Sequence, residues 1–336
     1  MNELNETMRL TILFGGLNKE RLVSVATAQA LHAALPEAEL WFWNLGDSVH
    51  AVTPQALLAH ARPFEKPFMP ADRGVGDIAA ALDQAKAENR LLVLGLHGGT
   101  AENGELQAMC EMRGVAFTGS GSASSHLAFD KIAAKRFAAL AGVRISAGVA
   151  LEDAETALAE HGKLIAKPAR DGSSYGLIFV NAKQDLVAVR NAAKTEDYLI
   201  EPFILGMEAT CGVLEQADGS VLALPPVEII PAEGGFDYTA KYLDKSTQEI
   251  CPARFPAEIN AQIMDQALRA HRVLSCSGYS RSDFIVSDKG PIYLETNTLP
   301  GLTKASLYPK ALKAQGIEFA DFLRDQIELA ARRVRT

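Results

Sequence analysis

Residues 281–297, RSDFIVSDKGPIYLETN, carry the pattern that most restricts this chain: two alternating runs either side of a glycine turn. The spacing predicts a β-hairpin with the three-residue loop Asp288-Lys289-Gly290, glycine taking the left-handed position. Closed at Ser287 and Pro291, the hairpin sets Phe284 against Leu294 and Val286 against Ile292 as an apolar stripe. Side chains alternate along a strand. Arg281, Asp283, Glu295 and Asn297 therefore share the opposite face, Asp283 across from Glu295 and Arg281 across from Asn297. Two carboxylates at roughly 5 Å repel each other across a sheet, so this face calls for a cation. Asp, Glu and Asn without His or Cys are hard oxygen donors suited to Mg²⁺, which completes its octahedron with water and phosphate oxygens. The competing reading is a surface hairpin whose acids are neutralised by Arg281 and Lys289.

A chain of 336 residues has room for two or three domains. Apolar residues make up 48% and charged residues 22%, a soluble globular composition with a large core. The formal net charge of −8 speaks against a nucleic-acid or anionic-membrane partner. Cys110, Cys211, Cys251 and Cys276 are far apart and form no CxxC pair, as expected of reduced thiols. The start is polar and then strand-like, unlike a signal peptide, and no apolar run reaches bilayer length, so the expected location is the cytoplasm.

LTILF, AELWFWN and LLVLGLH read as short buried strands, with helices at 22–35 and 78–86 among them. That pattern predicts a parallel sheet covered on both faces. Ligands of such sheets bind beyond the carboxyl ends of the strands, where Gly15-Gly16 and His97-Gly98-Gly99 form two loops of one crevice. From Gly119 the texture changes to a small-residue stretch, TGSGSASSH, and then a helix, FDKIAAKRFAALAG, capped by Gly142. Strands dominate from 164 to 230: KLIAKPA, GLIFV, YLIEPFI paired with MEATCGVLEQ, and SVLALPPVEII after the Asp218-Gly219 turn. With helices at 257–275 and 319–335, this half reads as α+β.

No GxxxxGK[ST] is present, and GSGSAS lacks the glycine spacing of a dinucleotide site. Lys167-Pro168-Ala169-Arg170-Asp171-Gly172-Ser173-Ser174-Tyr175-Gly176 ends an apolar strand with a lysine and a Gly/Ser loop. Such a loop offers backbone N–H groups and a point charge to phosphates, or is simply a mobile hairpin loop. Glu201-Pro202-Phe203-Ile204, with Glu208 beyond, supplies an apolar slot for adenine and a carboxylate for ribose hydroxyls, and equally reads as a strand and its turn. Phe236-Asp237-Tyr238-Thr239-Ala240-Lys241-Tyr242 reads as a lid or a packed surface loop. The run 297–303, NTLPGLT, leaves the hairpin in a tight turn that presents N–H groups near the acidic face. His97 is a core histidine or a site residue. His32, His50, His60, His126, His161 and His271 read as structural or exposed. No Ser-His-Asp spacing and no His/Cys cluster emerges.

Taken in order, GGLNKER, LHG with ENG, GSG with the later DK, KPARDGSSYG, Glu201 with GME, DYTAKY, CPA, RSDF, ETNTLPGLT and SL resemble the D-alanine–D-alanine ligases of the ATP-grasp superfamily. The resemblance runs over nearly the whole chain. It implies an α/β N-terminal doubly wound parallel-sheet domain (1–119) followed by two α+β ATP-grasp domains (120–200, and 201–336 with the Mg²⁺ site). It further implies that Lys131 and Lys167 contact the ATP phosphates, that Ser174 also binds the nucleotide, and that Glu201, Phe203, Ile204 and Glu208 hold adenosine. Asp283, Glu295 and Asn297 would bind two Mg²⁺ ions, for which Mn²⁺ can substitute. Arg281 and the backbone of Gly301 would stabilise an oxyanion. Glu20 would hold the first substrate's ammonium, with His97 beside that substrate. Ser173 and Tyr242 would link with Glu20 to close a lid, while Lys241 and Ser306 would grip the second substrate's carboxylate.

The implied activity is the ADP-forming ligation of two D-alanines through an acylphosphate, for peptidoglycan precursors, by a cytosolic homodimer acting on small molecules. One rival is a related ligase with another amino acid in one site. Another is a non-catalytic ATP-binding regulator, against which the intact acidic face and Arg281 speak. The departures fall at the substrate loops. Asn18 stands where members usually have Ser, Asn103 where they have Asp, and Leu299 and Lys304 where they have small polar residues. Tyr242 points to a dipeptide rather than a depsipeptide product.

Overall fold

The apolar runs near residues 12 and 92 become adjacent parallel strands at the centre of the first sheet. The computed structural model describes residues 8–333 apart from 19, 71–73, 173–174 and 232–246. The first elements are β1 (Arg9–Gly15), α1 (Arg21–Ala34), β2 (Glu39–Trp43), β3 (Ser48–Val52), α2 (Pro54–Leu58), β4 (Gly74–Asp77), α3 (Ile78–Ala87), β5 (Arg90–Leu94), α4 (Glu105–Arg113) and β6 (Ala116–Phe117). The strand order is β4-β3-β2-β1-β5-β6. The expected parallel set β2-β1-β5-β6 is present, and β5 is buried along its whole length. Two antiparallel strands, β3 and β4, extend the sheet beyond what the sequence led us to expect. The turn into β3 explains the first of them: Asn44 Oδ1 accepts the N–H groups of Gly46 and Ser48 at 2.8 and 3.0 Å, folding the chain back on β2.

The chain continues through α5 (Ser122–Phe129), α6 (Lys131–Leu140), α7 (Ala154–His161), β7 (Leu164–Pro168), β8 (Ile178–Val180), α8 (Leu186–Ala192) and β9 (Tyr198–Pro202). The small-residue stretch is thus helical over α5, whose first N–H, at Ser122, is satisfied by Glu111 Oε1 at 2.8 Å. Asp130 caps α6, accepting from Ile132 and Ala133 at 3.0 Å each. Strands β8-β7-β9 form a small antiparallel sheet.

The remaining elements are β10 (Met207–Glu215), β11 (Val221–Ala223), β12 (Val227–Ile230), β13 (Gln248–Ile250), α9 (Ala257–Val273), β14 (Tyr279–Ser287), β15 (Gly290–Asn297), α10 (Leu307–Gln315) and α11 (Phe319–Arg333). They build the sheet β13-β12-β10-β14-β15, with β11 also on β10. YLIEPFI and MEATCGVLEQ therefore do not pair. β9 lies against β7, and both edges of β10 are taken by β14 and by β11 and β12. The pattern marks each run as a strand but does not name its partner.

The hairpin β14–β15 corrects one further expectation. Pairing starts at Ser287 and Gly290, so the connecting residues are Asp288 and Lys289, and Gly290 takes φ +99°. A register shift between Asp283 and Phe284 then sets Phe284 against Tyr293 and Val286 against Pro291. The pairs nearer the chain ends are as expected. Phe284, Val286 and Tyr293 face α9, packing with Ile263, Ala267 and Ala270 in one core. Each such side chain contributes about 1.5–3 kcal/mol when fully buried, which fixes the polar face outward.

Candidate active site

Alternation places Asp283 opposite Glu295 and Arg281 opposite Asn297 on the outward face of the hairpin. Arg281 holds Asp283 by two hydrogen bonds of 2.9 Å, from Nε to Oδ1 and from Nη2 to Oδ2. Thr210, paired with Asp283 on β10, donates to Oδ1 at 2.6 Å, and Asn297 Nδ2 donates to Oδ2 at 3.3 Å. The Asn297 amide oxygen is left as the donor atom that residue can offer a cation. Glu295 meets Lys131 of α6 at 3.3 Å. The second balancing charge is therefore Lys131, while Lys289 sits on the exposed turn. Among the described residues no three His, Cys, Asp or Glu side chains form a metal cage. Two carboxylates and an amide on one face instead fit an ion that takes its other ligands from water and phosphate.

The first turn of α6 joins this face to the small sheet. The Lys131 ammonium also donates to the carbonyl oxygen of Asp171, and its backbone N–H to Ala169 O at 2.9 Å, so it pins the loop after β7. One turn on, along the same helix face, Lys135 pairs with Glu201 Oε1, while Lys167 reaches Glu201 Oε2 at 3.4 Å. Burial pulls the Lys135 ammonium down to about 8, with the Glu201 charge opposing the shift. Lys135 was missed in the sequence, although the Lys131-to-Lys135 spacing was there to be seen. Phe203 packs edge-on to Phe179 with Lys163 Nζ 4.0 Å from its ring centroid, and its N–H is taken by Lys163 O at 3.0 Å. Ile204 is half-buried just beyond β9. Glu208 lies two residues before Thr210 on β10, hence on the same face as Asp283. Ser173, Ser174, Lys241 and Tyr242 lie outside the described residues.

On the other side of Arg281, Glu20 leads into α1. Its carboxylate passes so close to Gly98 that a Cβ there would lie 2.1 Å from Oε2, and Gly98 has φ +66°. The two glycine loops do share one crevice. His97 is buried, with Nε2 2.8 Å from Thr27 Oγ1 and Nδ1 3.2 Å from Leu299 O. Burial holds the imidazole below its ordinary pKa. A Cβ on Gly301 would come within 2.8 Å of Ser306 Oγ, which accepts from Thr303 N at 3.1 Å. Glu20, His97, Arg281, Glu295, Asn297, Gly301 and Ser306 thus line one cavity of about 140 Å³.

Glu102, which the sequence did not single out beyond its ENG motif, lines the same cavity. Burial pushes its carboxyl up to about 8; the charges of Glu20 and Glu295 add to the shift and Arg281 opposes it. The departures separate by position. Asn103 accepts from Glu105 N, the first N–H of α4, at 3.0 Å and donates to Glu105 Oε1 at 2.9 Å. Leu299 is buried and lines the cavity, whereas Lys304 is exposed. An oxygen-donor face, lysines beside a loop, a fixed guanidinium and carboxylates in one cleft can together hold phosphates, a divalent cation and an ammonium group.

Residues 9–120 match the family profile described as D-ala D-ala ligase N-terminus, and residues 150–328 that described as D-ala D-ala ligase C-terminus. The chain is 35% identical over 334 residues to a D-alanine–D-alanine ligase of Desulforudis audaxviator, covering 97% of this chain and 99% of that protein. It is 36% identical over 322 residues to that of Cupriavidus taiwanensis, covering 94% and 89%. Among solved structures, a D-Ala:D-Ser ligase from Enterococcus faecalis is similar with a TM-score of 0.78 at 28% identity, covering 97% of this chain and 100% of that one. A D-alanine–D-alanine ligase from Bacillus anthracis complexed with ATP is similar with a TM-score of 0.72 at 28% identity, covering 98% and 99%. With both of its halves matched and such relatives spanning almost its full length, the chain belongs to the D-alanine–D-alanine ligase family.

Proposed function

We propose that this protein is an ADP-forming ligase that joins two D-alanine molecules. The observation that carries the reading is that Glu20, Arg281, Glu295 and Asn297 line one cleft, with Asp283 held by Arg281 and Lys131 paired with Glu295. Asp283, Glu295 and the Asn297 amide oxygen would hold Mg²⁺, which when bound neutralises charge on the ATP phosphates. Lys131 and Lys167 would position those phosphates, and Glu201 and Glu208 the nucleoside. In the first step a carboxylate oxygen of the first D-alanine attacks the γ-phosphorus and ADP leaves, giving an acylphosphate. Positioning and charge neutralisation are the main requirements of such a transfer. Glu20 would anchor that substrate's ammonium.

In the second step the amine of the other D-alanine attacks the acyl carbon, inorganic phosphate leaves, and the amine gives up a proton. Arg281 and the Gly301 N–H would face the oxygen that becomes negative, where a fixed cation in a dry site is worth several kcal/mol. Ser306 would receive the second carboxylate. A cytoplasmic homodimer belongs to the same reading.

The test is ADP release, in the presence of Mg²⁺, against a panel of D- and L-amino acids that includes D-serine, together with the hydroxy acid D-lactate. D-Alanine alone should give the highest rate and D-alanyl-D-alanine as product. No stimulation by D-alanine would sink the reading, and preferential use of another amino acid as second substrate would move the chain to a sister activity.

A further inference from the structure

Asn18 joins the two crevice loops with both ends of its side-chain amide. Its Nδ2 donates to the carbonyl oxygen of His97 at 2.7 Å, and its Oδ1 accepts the N–H of Glu20 at 2.8 Å. The loop opposite is shaped to receive it: a Cβ on Gly99 would lie 3.0 Å from Asn18 Nδ2, and Gly99 has φ +50°. His97 continues the connection with its ring. Leu299 O can only accept, so Nδ1 carries the hydrogen, and Nε2 accepts from the Thr27 hydroxyl. Both ring nitrogens are thereby committed to the protein. Leu299 lies two residues before Gly301.

We propose that Asn18 is a positioning residue, the first member of a strut Asn18–His97–Leu299 that sets the Glu20 anchor relative to the Gly301 turn. The strut rests on the functional reading above, since it spans the ammonium end of the first substrate and the oxygen of its reacting carboxyl. His97 acts within it by geometry, because no ring nitrogen is left to carry a proton to or from substrate. A serine at position 18 would be one bond too short to bridge the two loops in this way.

The test pairs Asn18→Ala with Thr27→Val, which removes the far partner of His97 without touching the cavity. Asn18→Ala should raise KM for the first D-alanine and lower kcat about tenfold, leaving KM for ATP within about twofold. In the double variant the two effects should fall short of their product by more than about twofold, as expected for members of one network. Effects that simply multiply would overturn the strut.

A second readout does not depend on substrate identity. Amide hydrogen exchange at Ala101, Glu102 and Thr303, whose N–H groups are bonded within these loops, should accelerate about tenfold or more in Asn18→Ala, with α9 unaltered. Equal acceleration in α9, or none at Thr303, would overturn the proposal even if the substrate assignment stands. A wild type that ignores D-alanine would instead refute the functional reading and leave the exchange result to decide the strut.

Discussion

The Lys131 ammonium lies 3.3 Å from the Glu295 carboxylate, closing the gap between the start of α6 and the outward face of the hairpin. In this arrangement the Glu295 carboxylate is balanced by Lys131, a group that the phosphates of a nucleotide would claim. Phosphates carrying a divalent ion can take both partners at once. Lys131→Met should therefore raise KM for ATP by about tenfold or more, equivalent to about 1.4 kcal/mol. Steady-state kinetics at saturating D-alanine check this, and an unchanged ATP KM would reduce Lys131 to a structural role.

Glu201 stands between two lysines, both nearly buried with it. Removing the acid leaves two ammonium groups facing each other, whereas removing one lysine leaves an ion pair. Glu201→Ala should then cost about 3–5 kcal/mol of stability, and Lys135→Met clearly less. Urea unfolding of the two variants gives the order, and a Lys135→Met variant that is the weaker of the two contradicts this account.

Arg281 is held by two bonds to Asp283 before any substrate is present. Arg281→Ala should lower kcat about 10²–10³-fold, the range for losing one oxyanion donor, with only a small change in KM for ATP. Asp283→Ala and Glu295→Ala should abolish turnover. Full activity in the Arg281 variant would remove it from the mechanism.

His271 supplies a pH dependence of stability separate from catalysis. Its Nδ1 lies 2.8 Å from Ser280 Oγ, and burial holds the imidazole at about 4 against an ordinary 6.5. Between those values the unfolded chain binds a proton that the folded chain refuses. Stability is full above pH 6.5 and falls as the pH drops toward 4, by about 3 kcal/mol in all. His271→Gln should flatten that part of the curve. Urea midpoints at pH 7 and 4.5 test it: equal losses in both proteins would exclude His271 as the cause.

The sequence disclosed most where physics is local. Alternation and a glycine turn marked the hairpin, but Asp283 meets Glu295 and Arg281 meets Asn297 only because the register shift beside Phe284 makes up for a turn one residue shorter than the spacing suggests. The partners of YLIEPFI and MEATCGVLEQ were not readable, since an apolar run announces a strand and leaves its neighbour to long-range packing. Lys135 escaped notice because a lysine one turn along a helix resembles a solvent-facing residue until Glu201 arrives from another sheet. Asn18 was seen only as a departure from the family pattern. Its meaning needed Glu20, His97 and Gly99 to be brought into one place by the fold.

The register shift at Asp283 and Phe284 divides the hairpin into two lengths that need not keep step. On one side lie the pairs Asp283–Glu295 and Arg281–Asn297 of the candidate site; on the other lies the turn at Asp288 and Lys289. A residue gained or lost at the tip can be taken up at that irregularity without moving Asp283 from its place opposite Glu295. The tip can thus change in length and charge while Asp283, Glu295, Arg281 and Asn297 keep their pairing.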